Sequence, residues 1–304
     1  MREAVPALDR RDAIDASAAA LMLLLTFSWG LNGVAAKLAN TGFNPIFLTM
    51  ARSAIAAVLV FAWCRYRGIA LFGHDGSLGP GIVAGLLFGA EFSLIFIGLE
   101  YTSVARSALL VNTMPFWILI GAHFWLGERM TPKKLIGLLL AFLGVVLVFS
   151  DKLSLPGPEA IVGDLLSIGA GLLWAATTLV IKATRLVRTS AEKLLLYQLG
   201  VSSILLLPLL AFAGPVFRDV TIVPVAALAF QAAYIVAITY AVWFWLMRRY
   251  PAAGLSSFAF LTPVFGVLCG GLLLNEPLSM RIFLALALIG AGLMMVNRPQ
   301  RRKE

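Results

Sequence analysis

Apolar residues run along this chain in blocks separated by short clusters of Gly, Pro, Asn and charge. A bilayer core about 30 Å thick takes a helix of about 20 residues, which is the length of one block. Bounding the blocks at their breaks predicts helices near 16–38, 44–64, 79–100, 104–127, 132–150, 163–184, 192–213, 222–247, 252–275 and 280–297. The longest connections are 65–78 and 151–162. Barrel strands would alternate polar and apolar residues over about ten positions, and these blocks do not. Helices alone satisfy their own backbone groups in lipid under such a pattern. The reading is an all-α integral membrane protein of ten transmembrane helices.

The pattern repeats. Trp29 and Lys37 lie eight apart, as do Trp174 and Lys182 one hundred and forty-five residues later. Pro115 precedes Glu128 by thirteen residues and Pro263 precedes Glu276 by thirteen, while Gly144 and Gly292 each follow their Glu by sixteen. Residues 16–150 and 163–297 therefore read as two copies of one five-helix unit. Five is odd, so the second copy starts on the other side of the membrane and the repeats are inverted (5+5). Inverted repeats place a binding site near the midplane, and exchange of conformation between the halves alternates its access.

Composition agrees: 61% of residues are hydrophobic and 13% charged, against about a quarter charged in soluble domains. Cys64 and Cys269 stand alone in apolar runs and fit neither a metal site nor a disulfide framework. The net charge of +9 reports orientation and not a nucleic-acid partner. Of the 24 Lys and Arg, 17 fall on the side of both termini, four (Arg106, Lys152, Arg218 and Arg281) on the other, and Lys37, Arg52 and Lys182 within helices. By the positive-inside rule, 1–15 is a cytoplasmic N-terminal segment, 298–304 a cytoplasmic basic tail and 151–162 an external linker, in the cell inner membrane. The run after Asp15 is too long for a signal-peptide core, so the first helix is expected to stay as an anchor.

The arrangement Trp29-x2-Asn32-x4-Lys37, Arg52 in the second helix, Pro115 with Gly127-Glu128 at the end of the fourth, and Gly163-Asp164-Leu165-Leu166 opening the second copy resembles the drug/metabolite transporter superfamily. Within it, the chain is similar to the ten-helix EamA-type exporters, a group that includes aromatic amino acid exporters. The resemblance implies cytoplasmic termini, a central cavity, efflux of small metabolites and no cofactor. The direction of transport follows from it alone.

Candidate site residues are the polar, aromatic and kinked positions of the apolar blocks. Pro115 and Pro263 free the carbonyls of Val111 and Ala259, beside Asn112 and before Thr262. Trp29 with Asn32, Trp174, Tyr234 and Tyr240 offer an aromatic wall for a flat solute or a cation. Lys182 carries a charge inside a helix and either snorkels or marks a pathway. Helices 1, 3, 4, 6, 8 and 9 are expected to line one site, with Trp29, Asn112, Trp174 and Tyr234 in its wall. Arg52 and Glu91 reach the same depth, roughly 18 Å from the inner face at 1.5 Å per residue, and are expected to pair directly or through water, facing the cavity. His123, in helix 4, is read as a packing residue. Glu128 and Glu276 are read as structural carboxylates at helix starts, near the capping residues Thr131 and Ser279. Gly81, Gly85 and Gly89 permit close helix contact, and small residues on helices 5 and 10 offer a homodimer surface.

The expected function is secondary transport of small organic metabolites, with amino acids, aromatic ones first, as substrates and protons as the candidate coupling ion. The alternative of the same fold is an organic-cation or multidrug exporter. An intramembrane enzyme finds no His pair and no paired-carboxylate motif here, and no Walker sequence is present. A receptor-like scaffold leaves the inverted duplication unexplained.

Overall fold

The computed structural model describes residues 11, 13–73, 75–99, 101–153, 157–274 and 280–297. The expectations for Glu276, Ser279, the tail 298–304 and most of 1–15 lie outside the described residues. Among the described residues there are ten apolar helices: α1 (Ala16–Gly42), α2 (Pro45–Tyr66), α3 (Leu78–Leu99), α4 (Val104–Trp125), α5 (Pro132–Phe149), α6 (Ala160–Ala183), α7 (Ala191–Phe212), α8 (Ile222–Arg249), α9 (Ala252–Leu273) and α10 (Arg281–Asn297). The first nine are long and apolar enough to cross a membrane, and α10 is shorter at 17 residues.

Local chemistry sets the ends. Asp15 accepts from the Ala18 N–H at 2.8 Å to open α1, Asn44 accepts from Ile46 at 2.9 Å to open α2, and Thr131 accepts from Lys134 at 3.3 Å to open α5. Pro45 and Pro132 occupy first helical turns, where their missing N–H costs nothing. Interior irregularity sits where the prolines predict it. The first half of α4 ends at Val111 and the second begins at Met114, and α9 tightens to a 3-10 turn over Phe258–Phe260 before Pro263. A third irregularity has no proline: α8 widens into a π-helix over Gln231–Thr239.

Helix neighbours obey an exchange rule. The pairing of α3 with α6 is matched by α8 with α1, that of α3 with α7 by α8 with α2, and that of α4 with α6 by α9 with α1. The pairs α2–α7, α4–α9 and α5–α10 map onto themselves. Adding five to a helix number, in cyclic order, thus reproduces the packing, as expected of two inverted repeats related by a two-fold axis in the membrane plane. All these pairs join one repeat to the other, so the halves interleave.

The close contacts are made by glycine. A Cβ on Gly137 would meet Gly292 O at 2.8 Å, one on Gly292 would meet Gly137 O at 2.3 Å, and one on Gly144 would meet Ala285 O at 2.9 Å. The small faces of α5 and α10 therefore pack on each other within one chain. Gly81, Gly85 and Gly89 admit Tyr197, Val201 and Leu205 of α7 in the same way.

Candidate functional site

Between the repeats lies a cavity of about 250 Å³. Its wall takes Trp29 and Asn32 from α1, Phe88, Glu91, Phe92 and Ile95 from α3, Val111 and Asn112 from α4, and Trp174, Thr177, Thr178 and Ile181 from α6. Gln198 of α7, Tyr240, Trp243, Phe244 and Met247 of α8, and Ala259 and Thr262 of α9 complete it. Trp29, Asn32, Glu91, Asn112, Trp174, Tyr240 and Thr262 are thus brought together. Pro115 and Pro263 make the breaks but stand outside the wall. The freed carbonyl of Val111 lies over Gly171 of α6, where a Cβ would meet it at 2.8 Å.

Three further candidate residues stand outside the wall. Tyr234 does not line the cavity: its hydroxyl lies 2.9 Å from Ser28 Oγ and its ring packs on Phe230 at 5.3 Å. The segment Gln231–Thr239 is a π-helix, whose i→i+5 bonding differs in register from an α-helix. Arg52 is buried but forms no direct pair with Glu91. Its Nη1 approaches Gln231 Oε1 at 3.4 Å and its guanidinium covers the Phe92 ring at 5.2 Å, so it stands behind the wall. Lys182 turns away from the cavity, as detailed below. Wall features that escaped the sequence reading include Gln198, a lone amide in the apolar run of α7, the threonine pair Thr177–Thr178, and the rings of Phe88, Phe92 and Trp243.

The rings of the wall touch in series. Phe92 meets Phe88 at 5.0 Å, Phe88 meets Tyr240 at 6.5 Å, Tyr240 meets Trp29 at 6.2 Å and Trp29 meets Trp243 at 5.6 Å, all edge to face. Trp29 is oriented by its indole N–H, which donates to Thr239 Oγ1 at 2.9 Å. Such contacts leave a rigid apolar wall with few rotamers.

A larger cavity of about 980 Å³ opens on the face that carries the termini, lined by Arg129, Lys134, Arg185, Arg188, Arg248 and Arg249 among others, with Glu128 at its rim. Lys182 separates the two spaces. Its Nζ donates to Met247 O at 3.1 Å and Tyr250 O at 2.5 Å and lies 3.9 Å from Glu128 Oε1. Glu128 in turn accepts from the Ala252 and Ala253 N–H groups at 2.8 and 3.3 Å. The carboxylate serves a helix start, as expected, but that of α9 and not of α5; Thr131 caps α5 without it. On this face the Tyr250 hydroxyl donates to Asp15 Oδ2 at 2.8 Å. Asp15 is held far below the usual carboxylate range, chiefly by the Ala18 N–H and the Ser17 and Tyr250 hydroxyls. His123 accepts from the Met130 N–H at 3.5 Å, outside the cavity wall.

The opposite face is knit shut. Arg106 pairs with Asp164, which also accepts from Thr102 at 2.8 Å, and Arg106 Nη1 donates to Leu153 O at 2.6 Å. The α1–α2 turn zips to the α7–α8 connection through Asn44 N to Val216 O and Arg218 N to Gly42 O, both 2.9 Å. Phe43, Phe47 and Phe217 cluster over the joint. One face is thus hydrogen-bonded closed while the other holds a large polar opening.

Known proteins share this plan. Over 279 residues the chain is 25% identical to the Bacillus subtilis "Uncharacterized transporter YoaV", covering 90% of this chain and 94% of that protein. It is 29% identical to an "Uncharacterized transporter" of Archaeoglobus fulgidus, covering 84% and 89%. It is 27% identical to the "Probable amino-acid metabolite efflux pump" of Escherichia coli K12 over 94% of each. A solved crystal structure superposes with a TM-score of 0.79 at 22% identity, covering 92% of this chain and 97% of the other, which shows a common fold. The profile of the EamA-like transporter family matches residues 16–150 and again 161–298. Two matches, each covering one five-helix half of the interleaved fold, place this chain in the EamA-like transporter family.

Proposed function

We propose that this protein exports small organic metabolites of amino-acid type, aromatic ones first, across the cytoplasmic membrane by alternating access. The observation that carries this reading is the cavity wall, drawn from both repeats and lying between a closed face and an open one. Trp29, Trp174 and Tyr240 stack on the solute, Asn32, Asn112 and Thr262 orient it, and the breaks made by Pro115 and Pro263 let α4 and α9 swing. The basic face with both termini is the cytoplasmic one, so the state described is open inward. The efflux-pump relative supports the direction and the class of substrate. Protons are the coupling ion of this reading, because Glu91 is the carboxylate of the wall, with the Arg52 guanidinium behind it over the Phe92 ring.

Counterflow in sealed proteoliposomes tests it. Lumenal substrate should drive accumulation of labelled external substrate above passive leak, and an imposed pH gradient should change the rate. Accumulation equal to that in empty liposomes for every amino acid and amine tried would end the reading.

A further inference from the structure

The hydrogen-bonding capacity left over in the central cavity is lopsided. Glu91 is 5% exposed, lines the wall, and its Oε2 has no hydrogen-bond partner. On the same wall Gln198 Oε1, Asn32 Oδ1 and Thr262 Oγ1 are also unpartnered. The threonine hydroxyl accepts as well as donates, the other three atoms are acceptors, and the carboxylate is one whichever way the amides turn. Among the described residues of the wall there is no Lys, Arg or His. Arg52, the nearby cation, has its guanidinium over Phe92 and its Nη1 beside Gln231. Lys182 is engaged at the inner face by two carbonyls.

A buried carboxylate is costly unless a donor of opposite charge meets it. The arrangement therefore calls for an N–H-rich cation at Glu91. The ring series begins at Phe92, the next residue, and continues through Phe88 and Tyr240 to Trp29. An aromatic wall against a carboxylate suits a flat apolar body that ends in an ammonium group. A free amino acid would bring a second carboxylate into a wall that offers no cation to receive it, and that charge would be buried unpaired.

We propose that the cavity selects primary ammonium compounds with a flat apolar body and no carboxylate of their own. The ammonium meets Glu91 Oε2, and Gln198 and Asn32 accept its remaining hydrogens. This inference rests on the transport reading above, keeps its aromatic metabolites of amino-acid type, and replaces the free amino acids among them by their amines and amides.

Four solutes that share one ring separate the possibilities: phenethylamine, phenylalanine amide, phenylalanine and 3-phenylpropionate. Binding to the purified full-length protein is read from the fluorescence of the wall tryptophans, and transport from counterflow in proteoliposomes. Phenethylamine and the amide should bind at least about tenfold more tightly than phenylalanine, and 3-phenylpropionate should not bind, by the value of one charge-assisted hydrogen bond in an apolar site. Glu91→Gln should weaken phenethylamine by about tenfold or more while the neutral 3-phenyl-1-propanol stays within about twofold. Phenylalanine binding as well as the amine, or Glu91→Gln weakening neutral and cationic ligands alike, overturns the proposal. If Glu91→Gln does not fold, the four-ligand order on the unaltered protein decides. Amines that bind in this order but never exchange would uphold the recognition and sink the transport reading; phenylalanine that exchanges while amines neither bind nor exchange does the reverse.

Discussion

Glu128 closes one helix and opens another, taking two backbone N–H groups at the start of α9 while standing 3.9 Å from the Lys182 ammonium. Replacing such a cap costs about 1–2 kcal/mol, and here it also takes the carboxylate away from the ammonium. Glu128→Ala should therefore lower the unfolding temperature of the detergent-solubilised protein clearly, with Glu128→Gln intermediate; an unchanged melting curve for the alanine variant would contradict the assignment. Asp75 makes a pH prediction. Burial alone would raise its carboxyl, but hydrogen bonds from Lys193 at 2.8 Å and from Ser77 hold it down to about 2. Since the folded value lies below the unfolded one of about 3.9, this contribution is complete above the unfolded value and is lost as pH falls through about 2. The stability gap between the unaltered protein and Asp75→Asn should be full at pH 7 and should shrink between about pH 4 and pH 2, and a gap that does not change over that range would refute the pairing. The role of Glu128 as a helix-start carboxylate was legible, because a Glu followed by Thr-Pro marks a helix boundary. Which helix it serves was not, because capping from a distance depends on tertiary neighbours. Arg52 teaches the same lesson: equal depth placed it beside α3, but the choice of Gln231 and the Phe92 face over Glu91 depends on side-chain direction.

Among the elements, the ten helices were readable from apolar block length and the breaks in α4 and α9 from their prolines, since both follow from local covalent and solvation constraints. The π-helix of α8 was not, for no residue type demands it. Gln198 was passed over for the opposite reason: a single amide in an apolar run looks the same whether it faces a cavity or a neighbouring helix. The α1–α9 contact offers an asymmetric test. A Cβ on Gly30 would lie 2.6 Å from Gly266 N, whereas one on Gly266 has nothing nearer than Gly30 O at 3.7 Å. Gly30→Ala should then destabilise by about 1–3 kcal/mol, as overpacking does, while Gly266→Ala leaves the melting temperature unchanged or raises it. Equal effects of the two substitutions would show that the helices meet differently.

At the scale of the molecule, the orientation proposed from the charge distribution can be tested. Cysteines placed one at a time at Leu155 and Gln300 should be labelled by an impermeant reagent in intact cells at the first position only; the native Cys64 and Cys269 are buried and stay silent. Labelling at 300 without 155 would reverse the topology. The interleaving of the repeats reaches beyond transport to biosynthesis. Every principal helix pair joins one repeat to the other, so when the ribosome has delivered α1–α5 those helices still lack their partners, and Arg52 and Glu91 lie in lipid without the α8 wall that later encloses them. The nascent first half is therefore the stage most exposed to chaperones and membrane proteases, and folding is completed when the second half inserts. Two separate polypeptides, cut within the 151–162 connection and synthesised together, should for the same reason assemble into one working protein, while either alone is degraded.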